Sequence, residues 1–172
     1  MKINNSEILG LKIISPNTRH EDFRGKYTEL YNQKTFQDEG IDLSFIQDDF
    51  SYSRKNVLRG IHGDFKTWKL ITCLFGAFYM VVIDNQPQSK TYNMWESFTL
   101  SEENRLQVLV PPGFGNGHYV LSDQGTIFHY KQTTLYERSS QFTIVWNDPK
   151  KNIFWPTKFP ITSERDTHGD KY

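Results

Sequence analysis

The chain has one cysteine, Cys73, no long apolar run and no excess of charge. A lone thiol rules out an internal disulfide, a redox CxxC pair and a zinc ribbon. Set in an apolar stretch, Cys73 reads as a small hydrophobe. The longest apolar run, Ala77 to Ile83, is far shorter than the roughly 18 residues of a membrane-spanning helix. The first residues, Met1-Lys2-Ile3-Asn4-Asn5-Ser6-Glu7, lack the apolar centre of a secretory signal. These absences predict a soluble, cytoplasmic protein with no membrane partner. Lysine plus arginine number 20 and aspartate plus glutamate 20, so no net field favours nucleic acid. A local basic pocket for one anion stays compatible with that balance.

Helix signals are also few. Lys34 to Glu39 holds a turn or two, and Ser101-Glu102-Glu103-Asn104 reads as a turn or helix start with Ser101 as its cap. Aromatics, by contrast, are plentiful, with 13 Phe, 9 Tyr and 4 Trp in 172 residues, a content that disordered chains lack. Short runs rich in β-branched and aromatic residues predict strands at 57–61, 69–75, 77–84, 93–100, 106–110, 118–122, 126–133 and 141–146. Gly76 suggests a tight hairpin or bulge, and Asp123-Gln124-Gly125 a three-residue hairpin loop. Many short strands without a repeat predict an antiparallel sandwich or barrel in a single domain spanning 1–172. The polar end, Thr167 to Tyr172, is expected to be loose.

Period-two alternation puts Thr126, Phe128 and Tyr130 on one face of their strand and Ile127, His129 and Lys131 on the other. His118 shares a face with Val120. His62 shares one with Leu58 unless Gly60 kinks the strand. A histidine and a tyrosine both enter the barrel interior on this pattern.

His62, at a strand end between glycines, suits a general base; it equally suits a hydrogen-bonded strand-end histidine. Two metal ligands on one strand face would need His-x-His or similar, where His62-Gly63-Asp64 offers only His-x-Asp, and a set of His62, Asp64 and His118 is not selected by anything in the pattern. Tyr130 is either core or a proton donor to a carbanion. Arg24 and Arg59 each sit beside a glycine, a weak phosphate-site signal against the ordinary solvated arginine. Pro111-Pro112-Gly113 and the glycines that follow read mainly as turn chemistry. No P-loop, dinucleotide-binding, nucleophile-elbow or zinc-protease motif occurs.

Taken together, several segments resemble the cupin-type nucleotide-sugar epimerases typified by dTDP-4-dehydrorhamnose 3,5-epimerase. They are Asp22-Phe23-Arg24-Gly25, Phe45-Ile46-Gln47-Asp48, Val57-Leu58-Arg59-Gly60-Ile61-His62, Lys69-Leu70-Ile71, Val110-Pro111-Pro112-Gly113-Phe114-Gly115, Tyr130-Lys131, Trp146-Asn147-Asp148-Pro149 and Ser163-Glu164-Arg165-Asp166. The resemblance implies an all-β jelly-roll (cupin) barrel with short peripheral helices, a homodimer, and epimerisation at C3, C5 or both of a nucleotide-linked 4-keto-6-deoxy sugar. It implies His62 as base, Asp166 as its partner, Tyr130 as the opposing acid and Lys69 as holder of the oxyanion. Arg24 and Arg59 are implied as phosphate contacts, Arg24 reaching a neighbouring subunit. Gln47, Glu29, His118 and Asp64 are implied as further substrate contacts. No metal and no cofactor are implied. One departure, Asp64 with a shortened loop to Lys69 where rhamnose-pathway enzymes carry glutamine and a Pro-rich loop, looks closer to epimerases of GDP-4-keto-heptoses in capsule and lipopolysaccharide synthesis.

Overall fold

The computed structural model describes residues 1–170. Thirteen strands follow in chain order: β1 Lys2–Asn5, β2 Lys12–Ser15, β3 Thr18–Asp22, β4 Gly25–Thr28, β5 Gln47–Ser53, β6 Leu58–Gly63, β7 Lys69–Phe75, β8 Ala77–Asp84, β9 Trp95–Ser101, β10 Gln107–Val110, β11 Phe114–Val120, β12 Thr126–Gln132 and β13 Phe142–Thr143. Among the described residues two short α-helices accompany them, α1 Gln33–Asp38 and α2 Glu164–His168, with one 3-10 turn at Arg138–Ser140. The strands form a six-stranded sheet, β1-β2-β10-β7-β12-β5, and a five-stranded sheet, β13-β6-β11-β8-β9, with β3 and β4 as a separate hairpin. All pairings within these sheets are antiparallel. This is the expected jelly-roll architecture.

The alternation of apolar residues builds the space between the sheets. Ile71 and Cys73 of β7, Val108 of β10 and Phe128 of β12 meet Phe78, Met80 and Val82 of β8, Leu100 of β9 and Phe114 of β11. Burying each large side chain of this set contributes about 1.5–3 kcal/mol. The outer faces are covered too. Leu58, Ile61, Val81 and Ile83 lie under Ile144 and Trp155, while Ile14, Leu70 and Leu109 lie under Phe36 and Ile41. Double covering explains why the central strands read as continuous apolar runs.

Two turn expectations are corrected. Gly76 and Asp123-Gln124-Gly125 do not close hairpins, because β7 and β12 belong to the six-stranded sheet and β8 and β11 to the five-stranded one. Both are corners where the chain changes sheets, packed together: a Cβ on Gly76 would lie 2.3 Å from the Gly125 carbonyl oxygen. β11 begins at Phe114 rather than His118, so Gly115 and Gly117 lie in a strand and only Gly113 in the turn before it. Ser101 caps a turn, its Oγ accepting from the Asn104 amide. Thr167 to Asp170 are tied down: Thr167 Oγ1 donates to the Ser163 carbonyl and Asp170 accepts from Thr143. Lys171 and Tyr172 lie outside the described residues.

Candidate active site

A cavity of about 510 Å³ opens between the two sheets. Arg59 and His62 of β6, with Asn116 and His118 of β11, line its five-stranded wall. Facing them, Gln47, Asp49 and Ser51 of β5, Lys69 of β7, and Phe128 and Tyr130 of β12 line the six-stranded wall. Tyr136, Gln141 and the segment carrying Ser163, Arg165 and Asp166 complete the lining.

His62 enters the cavity because β6 breaks its own alternation. Asn116 pairs with His62 and His118 pairs with Arg59, so Gly60 and Ile61 oppose Gly117 alone. The extra residue is a β-bulge, and it turns Ile61 onto the outer cluster and His62 inward. Gly60 adopts φ +112, and a Cβ there would lie 2.6 Å from the Gly117 Cα. His62 consequently sits on the cavity side and Leu58 in the outer cluster, the kinked alternative for this strand.

Asp166 reaches the same place from α2, whose N-cap Ser163 accepts the Asp166 amide at 3.2 Å. Its Oδ1 lies 2.6 Å from His62 Nε2, and its side chain is 4% exposed. Burial alone would raise this carboxyl. The hydrogen bond and charge of His62, the Ser163 hydroxyl and the Gly60 amide outweigh burial and hold it below the usual carboxylate range. An ionised Asp166 accepts a hydrogen bond from His62 Nε2–H, which leaves the ring's other nitrogen with its lone pair free.

On the opposite wall the Tyr130 phenol is pushed up to about 12, by burial first and then by the nearby Asp49 carboxylate, which also accepts its hydrogen bond. Asp49 is in turn held by Gln47 Nε2 at 2.7 Å. Tyr130 therefore stays protonated and able to donate. Lys69 is 8% exposed. Burial lowers its pKa, Asp64 opposes the shift and Arg165 adds to it. An ammonium in so dry a place interacts strongly with any oxyanion that forms beside it.

Arg59 Nε donates to Ser53 Oγ at 2.8 Å. His118 is stacked on Phe128, with ring centroids 4.3 Å apart, and is driven down to about 3 by burial and by neighbouring Arg59, so it is neutral. Its Nε2, Asn116 Oδ1 and Arg165 Nη2 are buried atoms without a hydrogen-bond partner.

Seven of the ten expected site residues thus line one cavity: His62, Tyr130, Asp166, Lys69, Arg59, Gln47 and His118. Three do not. Arg24 sits on the exposed β3–β4 turn and binds Asp22 of its own hairpin at 2.6 Å. Glu29 borders a separate, small cavity beside α1 and accepts from Asn32. Asp64 accepts the Lys66 and Thr67 amides at 2.9 and 2.8 Å, an Asx turn that shapes its own loop. Among the described residues no three His, Cys, Asp or Glu side chains gather as a metal site. Asp49, Asn116 and Arg165 were not singled out from the sequence. Asp49 was readable in principle, being the inward partner of Tyr130 once β5 is recognised.

The family model described as dTDP-4-dehydrorhamnose 3,5-epimerase matches residues 5–172. A dTDP-4-dehydrorhamnose 3,5-epimerase of Shigella flexneri is 36% identical over 176 residues, covering 100% of this chain and 96% of that protein. A crystal structure of the Bacillus anthracis dTDP-4-dehydrorhamnose 3,5-epimerase with TDP and pyrophosphate bound superposes with a TM-score of 0.92 at 34% identity, covering 98% and 97% of the two chains. The Legionella pneumophila dTDP-6-deoxy-D-glucose-3,5-epimerase in complex with dTDP-4-keto-L-rhamnose gives 0.89 at 38% identity, covering 96% and 89%. These are dTDP-sugar enzymes, so the expected closer likeness to GDP-heptose epimerases is not supported. Asp64, the departure on which that likeness leaned, has its carboxylate engaged by its own loop and is not among the residues that line the cavity. The chain belongs to the dTDP-4-dehydrorhamnose 3,5-epimerase family and is an isomerase, an epimerase of nucleotide-linked 4-keto-6-deoxy sugars.

Proposed function

We propose that this protein inverts both C3 and C5 of a dTDP-linked 4-keto-6-deoxyhexose, giving dTDP-4-dehydrorhamnose. The observation that carries the reading is the placing of His62 and Tyr130 on opposite walls of one cavity. The C4 ketone acidifies the protons on C3 and C5, since the resulting carbanion is an enolate. His62 removes a proton from one face. Asp166 fixes the ring and stabilises the imidazolium. Lys69 steadies the enolate oxygen, and Tyr130 returns a proton to the far face. Arg59 supplies charge for the diphosphate. The steps draw on side chains alone, since no electron changes hands.

The dTDP assignment draws on the relatives' substrates, and the match over residues 5–172 supports reading the chain as one epimerase domain. The same reading makes the protein a homodimer in which Arg24, at an exposed hairpin tip beside Phe23 (98% exposed), reaches a neighbouring cavity. The test is incubation in D2O with dTDP- and GDP-linked 4-keto-6-deoxy sugars. Deuterium at both C3 and C5 of the dTDP sugar alone is expected. Exchange of the GDP sugar alone, or of neither, would defeat the proposal.

A further inference from the structure

Upstream of α2 the chain is held by backbone: the Ile161 amide donates to the Asn56 carbonyl at 2.8 Å and its carbonyl accepts from Leu58 at 2.9 Å. Within and beyond the helix the hold passes to side chains. Arg165 Nε donates to Thr143 Oγ1 at 2.7 Å, and that hydroxyl donates to Asp170 Oδ1 at 2.6 Å. Asp170 also accepts the Thr143 amide at 2.7 Å, and Arg165 Nη1 donates to Gln141 Oε1 at 3.3 Å. Thr143 is no arbitrary anchor. On β13 it is the register partner of His62. One side of His62 is therefore fastened to the strand that Arg165 grips, while Asp166, next in sequence to Arg165, grips the imidazole itself.

Arg165 lines the cavity and is 13% exposed at its side chain, and its Nη2 is buried without a hydrogen-bond partner. Leaving such a donor unsatisfied is costly, and an acceptor on a bound ligand removes that cost.

We propose that Arg165 is a positioning residue: through Thr143 it latches α2 so that Asp166 meets His62, and through Nη2 it takes an acceptor of the bound nucleotide sugar. Binding of the substrate would then complete the network that aligns the base. The inference rests on the epimerase reading for its ligand, but the latch itself stands on geometry.

Two substitutions separate the two halves. Thr143→Val keeps the shape and removes the hydroxyl, leaving Nη2 in place; kcat is expected to fall roughly 10- to 100-fold, the scale of a small misplacement of catalytic groups, with KM within about 2-fold, a change worth only ~0.4 kcal/mol. Thr143→Ser is expected to restore kcat. Arg165→Met is expected to lower kcat similarly and also to raise KM about 10-fold, the equivalent of one lost hydrogen bond of ~1.4 kcal/mol. A readout free of activity accompanies these: the 15N NMR spectrum of His62 is expected to show the proton fixed on Nε2 in wild type and a mixture of tautomers in Thr143→Val. If wild type exchanges no deuterium, the epimerase reading fails while the spectrum still decides the latch. Wild-type kcat and an unchanged His62 spectrum in folded Thr143→Val would overturn the latch. An unchanged KM in folded Arg165→Met would overturn the ligand contact. Should Arg165→Met not fold, Arg165→Gln, which keeps a donor but no charge, serves with the same criteria.

Discussion

Arg59 and His62 are three residues apart in β6 and yet line the same cavity, because the bulge at Gly60 and Ile61 shifts the register by one residue against β11. His62 and the cationic side chain of Arg59 owe their common face to that one insertion. Without it, His62 would lie on the face that carries Leu58, under the C-terminal cover.

Gly60→Ala tests this dependence. A Cβ at φ +112 meets the Gly117 backbone at 2.6 Å, where neither partner is a flexible side chain. The substitution is expected to cost at least about 2 kcal/mol in chemical denaturation, from the backbone conformation and the clash together. Exchange activity should drop more than the folded fraction does, since His62 is displaced.

Asp166→Asn is expected to slow exchange without abolishing it. The amide oxygen can still accept from Nε2, but the imidazolium loses a charged partner, a difference of about 1.5–3 kcal/mol, or roughly 10- to 150-fold. Initial rates of deuterium uptake check it. An unchanged rate would deny that the 2.6 Å contact serves the reaction.

His118 gives a pH dependence of stability whose sign is fixed. Its folded pKa is about 3 and the unfolded value 6.5. Between these values the unfolded chain binds a proton that the folded chain refuses, so stability falls as pH drops from about 6.5 and is unaffected above it. Urea denaturation at pH 7 and pH 5 should show a loss in wild type and a smaller one in His118→Phe, which keeps the stack on Phe128. Equal losses in both would contradict a buried, neutral His118.

What could be read from the sequence divides along physical lines. Central strands such as β7, β8 and β12 announce themselves because both faces or alternate residues are apolar. β5 does not: its inward row is Gln47, Asp49 and Ser51, polar because it lines the cavity, and its outward Asp48 pairs with His129 and Lys131 of β12. The active wall therefore hid the strand that forms it. The corners at Gly76 and Gly125 carry true left-handed turns, with φ +70 and +90. Local turn chemistry cannot say which sheet the next strand joins, and that is why they read as hairpins. α2 spans five residues and lives on its Ser163 cap and tertiary ties, beyond any periodic signal. Asp64 reads as a substrate contact only through the resemblance, where it replaces a glutamine; its local sequence equally encodes the turn whose Lys66 and Thr67 amides it accepts.

Removing the base should leave nothing to exchange. His62→Asn keeps a hydrogen-bonding side chain beside Asp166 but no group basic enough to take a carbon-bound proton. Loss of deuterium uptake at both C3 and C5 is expected, by at least the roughly 10²–10⁴-fold typical of a general base. Uptake near the wild-type rate would remove His62 from the role.

The most direct test of two-sided proton transfer is stereochemical, made on Tyr130→Phe in D2O with the dTDP-linked 4-keto sugar. Phenylalanine keeps the ring and forfeits one hydroxyl, so the fold should survive the loss of about 1 kcal/mol. His62 can still abstract, and deuterium should enter from its side with retention of configuration. Net inversion should fall by roughly 10²–10⁴-fold, the usual worth of a general acid. Inversion at the wild-type rate would mean that another group or a water delivers the proton, and the pairing of His62 with Tyr130 across the cavity would not be the catalytic device.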